Sequence, residues 1–257
     1  MPSELSLSLG TLYGFLLVLA RVAGIFALVP LPGLRMTPEP ARAALVFGLT
    51  LALFPRWPHL GNDPAGAGQL LAWALGETVA GLATGIAVAV VVEAFSLGAQ
   101  VLGLQAGYAY ASTIDPNTQA DSGLLLVLAE TTAGLLFFAI GLDREVVRHV
   151  AQSLDSAPPG TFTFTAHSGQ QLIRCSGLLF SVGLRLALPV VALLIMADLA
   201  LALLGRINSQ LQLLSLAFPV KMLATLIILS AGVAIWPRVM RELGTAALQT
   251  LRNLPGL

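Results

Sequence analysis

Between Leu70 and Ala111 the chain runs through largely apolar residues with no proline and only two charges, Glu77 and Glu93. A backbone of that composition has few places to go. In hydrocarbon every N–H and C=O must be satisfied inside the protein, and a helix does this within one segment. Further apolar runs cover Thr11–Leu34, Ala43–Phe54, Leu124–Leu142, Ser176–Leu204 and Leu211–Trp236. Of the 257 residues, 56% are hydrophobic and 10% charged. A soluble domain carries roughly 25% charged residues, and the mean hydropathy of +0.86 leaves too little polar surface to cover a soluble sphere. The expected fold class is an all-α integral membrane protein, with residues 1–257 forming a single domain.

The runs do not match a bilayer well. A helix rises about 1.5 Å per residue and the hydrocarbon core is about 30 Å thick, so a span needs roughly 20 residues. Ala43–Phe54, bracketed by Pro38, Pro40 and Pro55, falls short. Leu70–Ala111 is far too long, and is expected as two helices or as one bent near Gly98 and Gly103. Ser176–Leu204 is also overlong and contains Pro189. The linkers are short and proline-marked, apart from Asp143–Arg174, whose SAPPGTFTFT stretch reads as a surface loop.

Charges recur inside these runs: Arg21, Glu77, Glu93, Glu130, Arg185, Asp198 and Lys221, the last being the only lysine. A charge at the bilayer centre costs at least ~2.5–3.5 kcal/mol, so such side chains face protein or water. Lys221 is expected to pair with an acid, the candidates being Glu77, Glu93, Glu130 and Asp198. Gly81 with Gly85, and Gly103 with Gly107, form small-residue faces that let helix backbones approach closely, within this subunit or on a neighbour.

Several function classes find no support. Zero net charge offers no basic face for nucleic acid. His59, His149 and His167 sit in separate linkers without metal-ligand spacing. No P-loop, nucleophile elbow or HExxH is present. Cys175 is the only cysteine, so no disulfide can close within the chain, and a packing role suits it better than a reactive one. No catalytic set, cofactor site or metal site is expected.

Against this background the stretch GYAYASTIDPNTQADSG, Gly107 to Gly123, stands out as small, polar and helix-averse between two apolar runs. Asp115-Pro116 favours a turn, because Pro116 lacks an N–H and pushes Asp115 away from helix. Non-helical backbone at membrane depth survives only when buried in protein or lining a water-filled cavity. The stretch is therefore either such an element or an ordinary loop at the membrane surface.

Three segments carry a resemblance to a known family. They are LARVAGIFALVPLPGLRMTPEPARAAL, GLQAGYAYASTIDPNTQ and GRINSQLQLLSLAFPVKM. Their order and spacing resemble the FliR family, flagellar biosynthetic proteins whose injectisome counterpart is the T component of the export apparatus. Two positions depart from the family pattern, Ser209 before Gln210, and Asp143-Arg144 after the run ending at Leu142. The resemblance implies helical hairpins that coassemble with FliP-like and FliQ-like subunits into an export-gate cone, with an FlhB-like subunit at its base. It places the cone in the bacterial inner membrane at the flagellar basal body, partly raised towards the periplasm. Unfolded substrates would cross through its channel. The loop at 106–122 would lie in that channel as a plug, made by Tyr108, Tyr110, Ile114, Asp115, Pro116, Asn117 and Asp121.

A competing expectation is a secondary transporter for a small solute, since intramembrane acids and broken helices also mark ion-coupled carriers. Pro189 and Pro219 have no equivalents early in the chain, which counts against paired halves. Arg238, Arg241 and Arg252 against Glu242 favour a cytoplasmic C-terminal tail.

Overall fold

The computed structural model describes residues 9–29, 39–58, 66–108, 124–158, 160, 165–207 and 213–252. These form helices α1 (Leu9–Leu28), α2 (Glu39–Ala52), α3 (Ala67–Ala106), α4 (Leu124–Ala139), α5 (Leu142–Ser156), α6 (Ala166–Ile207), α7 (Leu213–Gly232) and α8 (Trp236–Arg252). Short 3-10 turns lie at Phe54–Arg56 and Val233–Ile235, and no strand occurs among the described residues. The fold is all-α. Four segments among the described residues are long and apolar enough to cross a membrane: Leu9–Leu28, Ala67–Ala106, Ala166–Arg206 and Ala217–Arg252.

The helix boundaries follow local chemistry. Pro40 sits in the first turn of α2, where a missing N–H costs nothing. Pro55 helps replace the end of that run by a 3-10 turn. Within the Leu70–Ala111 run, residues 70–106 belong to one uninterrupted helix, α3, rather than to two. It ends before Gly107, which takes a φ of +88°.

Two expected boundaries are corrected. The Asp143–Arg174 linker contains α5, in which Leu142, His149, Val150, Ser153 and Leu154 form the buried face while Glu145 and Arg148 pair outside. Its three-to-four residue apolar period is helical even though its mean hydropathy is low. The last apolar run likewise continues past Trp236 as α8. Trp236, Met240, Leu243, Ala247 and Leu251 turn inward there, and Arg238, Arg241 and Glu242 are exposed.

The chain groups into two compact units. The first holds residues 1–90, 141–176 and 244–257. Its core is built on Leu17, Val18, Val22 and Ile25 of α1 against Ala80, Ala83 and Ala87 of α3. Glycine makes this packing possible. A Cβ on Gly81 would fall 2.0 Å from the carbonyl oxygen of Arg21, and one on Gly24 would fall 2.5 Å from that of Thr78. The Gly81/Gly85 face therefore packs within this subunit. Trp57 closes the α2 end, donating from Nε1 to the Thr50 carbonyl at 3.0 Å.

The second unit holds residues 91–140 and 177–243. Here α3 meets α6 backbone to backbone, since a Cβ on Gly183 would lie 2.8 Å from the Ala94 carbonyl oxygen. Phe95 packs on Trp236 with ring centroids 5.0 Å apart. The outer faces of α6 and α7 remain apolar and exposed at Leu188, Leu193, Met196, Leu199, Leu223 and Ile227. So broad an uncovered apolar surface suits lipid or other subunits.

Candidate functional site

The site is built at the root of the central loop, in the second unit. Helix α3 closes with paired bonds: the Tyr108 N–H donates to the Gly103 carbonyl at 3.0 Å, and the Gly107 N–H to Leu104 at 3.3 Å. This is the 6→1 and 5→2 pattern of a Schellman cap, which needs a left-handed residue at Gly107. A second reason keeps glycine there, because a Cβ would fall 2.7 Å from the ring of Phe218 on α7.

Tyr108 turns inward. It is buried with Ala106, Leu125 and Leu194, against which Val190, Met222, Leu226 and Leu229 pack. Its hydroxyl donates to the Met222 carbonyl at 3.1 Å. The loop thus leaves the cluster at Tyr108 and returns to the same cluster at Leu125. Tyr110, Ile114, Asp115, Pro116, Asn117 and Asp121 lie outside the described residues.

One helical turn below the root sits an ion pair. Lys221 Nζ on α7 lies 2.8 Å from Asp198 Oδ1 on α6, and Gln105 Nε2 of α3 donates to Asp198 Oδ2 at 3.2 Å. Of the four candidate acids, Asp198 is the partner of Lys221. Three helices, α3, α6 and α7, are thereby tied together near Tyr108. Pro219 on α7, two residues before the lysine, removes one backbone donor.

The pair is only half enclosed, with Lys221 9% and Asp198 43% exposed. Its loss should therefore cost more than the ~1 kcal/mol of a surface pair and less than the ~3–5 kcal/mol of a buried one. Lys221→Met is expected to lower the yield of assembled protein several-fold. Unchanged yield and motility would show that the pair holds nothing in place.

The remaining charges are distributed differently. Arg21 and Glu77 form a closed network in the first unit, with Arg21 Nε 2.5 Å from Glu77 Oε2 and exposures of 1% and 0%. Arg21 also donates to Ser153 Oγ and to the Ala157 carbonyl, each at 3.1 Å. Glu77 Oε1 accepts from the Gly160 N–H at 2.9 Å. Glu93 and Glu130 are half-buried, and Arg185 is exposed on α6. Cys175 is buried in packing. Among the described residues no group of His, Cys, Asp and Glu side chains could hold a metal ion.

The linear chain did not reveal Gln105 as the third member at Asp198, nor Ser153 at Arg21 and Gly160 at Glu77. A glutamine one residue from the end of an apolar helix was the available signal for the first. Nothing local marks the other two.

Known proteins give a consistent match. The family model of bacterial export proteins, family 1, matches residues 12–246. The chain is 27% identical over 253 residues to the flagellar biosynthetic protein FliR of Bacillus subtilis strain 168, covering 95% of each chain. It is 26% identical over 214 residues to FliR of Escherichia coli strain K12, covering 83% of this chain and 81% of that one. FliR of Pectobacterium carotovorum is 27% identical over 204 residues, with 78% and 76% covered. Since the family match takes in most of both compact units, from within the first spanning helix to within the last, the chain belongs to the bacterial export proteins of family 1.

Proposed function

We propose that this chain is a subunit of the flagellar protein export gate in the bacterial inner membrane. With FliP-like and FliQ-like partners it lines the channel for unfolded substrates, an FlhB-like subunit adjoins it, and the loop at 106–122 closes the channel. The observation that carries this reading is the loop root. Tyr108 and Leu125, between which the loop runs, are held in one buried cluster, while an ion pair and a hydrogen bond tie α3, α6 and α7 close to Tyr108. An ordinary connector needs no such foundation.

In this reading Tyr108 anchors the loop, and the block itself falls to Tyr110, Ile114 and the Asp115-Pro116 turn. The flagellar relatives and the exposed apolar faces of α6 and α7 support a place among other membrane subunits. A solute carrier has no comparable need for uncovered apolar faces beyond its lipid boundary.

Co-expression tests the assembly. The chain made alone is expected to aggregate, and to be recovered as a defined complex when FliP-like and FliQ-like subunits are supplied. A monodisperse, thermally stable monomer in detergent that ignores those subunits would overturn the gate reading and favour the carrier.

A further inference from the structure

A cavity of about 250 Å³ opens between α3, α6 and α7 in the second unit, next to the loop root, with which it shares Val190 and Leu229. Its walls are apolar, among them Leu102, Val190 and Leu229, with Trp236 and Gly232 at one side. A single charge lines it, the guanidinium of Arg185. Among the described residues Arg185 makes no ion pair or hydrogen bond, in contrast to Arg21 and Lys221 with their carboxylates.

The placement of Arg185 along its helix is informative. From Leu186 to Leu204 the chain is apolar apart from Asp198, which Lys221 matches. That stretch is about 28 Å long at 1.5 Å per residue, close to the hydrocarbon thickness. Arg185 and Arg206 bracket it, at the positions where an apolar layer of that thickness would meet the headgroups. Trp236, which shares the cavity with Arg185, is the residue type that favours this boundary. Pro189 also lines the cavity and leaves the Arg185 carbonyl without its helical donor, so an acceptor stands near the cation.

We propose that this cavity binds an anionic phospholipid of the bilayer. One acyl chain enters between Leu102, Val190 and Leu229, and the phosphate rests on Arg185. The volume is below the roughly 300–1,000 Å³ of pockets that enclose a whole small ligand. It suits part of a long chain whose remainder stays in the membrane. A guanidinium binds phosphate through paired N–H donors, and a lipid phosphate neutralises a cation that no described residue matches.

The test uses the full chain purified with its co-expressed partner subunits, stripped of lipid and titrated in detergent with phosphatidylglycerol or phosphatidylcholine, with native mass spectrometry as the readout. The wild-type complex is expected to retain phosphatidylglycerol about fivefold more tightly, as for one basic group at an anionic surface. Arg185→Gln should abolish that preference. Gly232→Leu should weaken both lipids, since Gly232 lines the cavity and a Cβ there meets nothing within 4 Å, so the added side chain enters open space. Equal retention of the two lipids by wild type would overturn the proposal, as would phosphatidylglycerol binding unaffected by Gly232→Leu. It also fails if Arg185→Gln releases a partner subunit while lipid binding is unchanged, because the guanidinium then meets a partner carboxylate.

Discussion

Excising residues 111–120 is expected to leave the complex assembled at near-normal yield and to make the inner membrane leaky to small solutes and ions. The expectation rests on where the loop is fastened. Tyr108 and Leu125 are buried in one cluster and remain in the shortened chain, as do Lys221, Asp198 and Gln105. The excised residues carry only Ile114 as a large apolar side chain, so little burial is lost with them. What disappears is most of the steric block, Ile114 and the Asp115-Pro116 turn. A loop at the membrane surface predicts the opposite pattern, with the deletion silent or harmful to folding without any leak.

Solute and ion influx in cells making the full partner set is the measurement, with complex abundance followed in parallel. Normal assembly without leak would sink the plug. Gly107–Gly123 holds two acids, Asp115 and Asp121, and no base. A closed plug with that charge draws cations to its mouth, so Asp115→Ala should shift the ion selectivity of a partly shortened loop towards anions.

The largest effect on stability is expected at Arg21 and Glu77. Removing one partner of a fully buried pair strands the other charge, at a cost of about 3–5 kcal/mol. Native proteins hold only about 5–15 kcal/mol in reserve. Arg21→Ala and Glu77→Ala are each expected to reduce the assembled protein to traces. Each change also strands neighbours, Arg21 leaving the Ala157 carbonyl and Glu77 leaving the Gly160 N–H without partners.

The double variant Arg21→Met, Glu77→Leu should recover much of that loss, because apolar replacement of both members removes the desolvation penalty along with the attraction. Abundance of all four proteins in membranes, with detergent-resistant thermal unfolding of the survivors, decides it. A double variant as damaged as the worse single one would mean that the charges act on something outside their own network.

The linear chain determined the class of molecule. Apolar runs near or beyond 20 residues leave the backbone no option but helix, and low charge with scattered intramembrane acids and bases calls for protein neighbours. The break at Gly107 was legible as well, because a glycine followed by small polar residues and Asp115-Pro116 stops a helix by local sterics. Composition and hydrogen-bonding capacity act over a few residues, so they can be read in order.

Pairing cannot be read that way. Successive helix positions are turned by about 100°, so which of four acids meets Lys221 depends on the rotation and register of separate helices. The tertiary structure selected Asp198, brought Arg21 to Glu77 and Ser153, and turned Tyr108 onto the Met222 carbonyl. It also made a helix of the Asp143–Arg174 linker, whose few inward residues become a face only when another helix lies against them. Burial of a polar group is tolerable only once its partner is in place, and that partner is supplied by the folded chain.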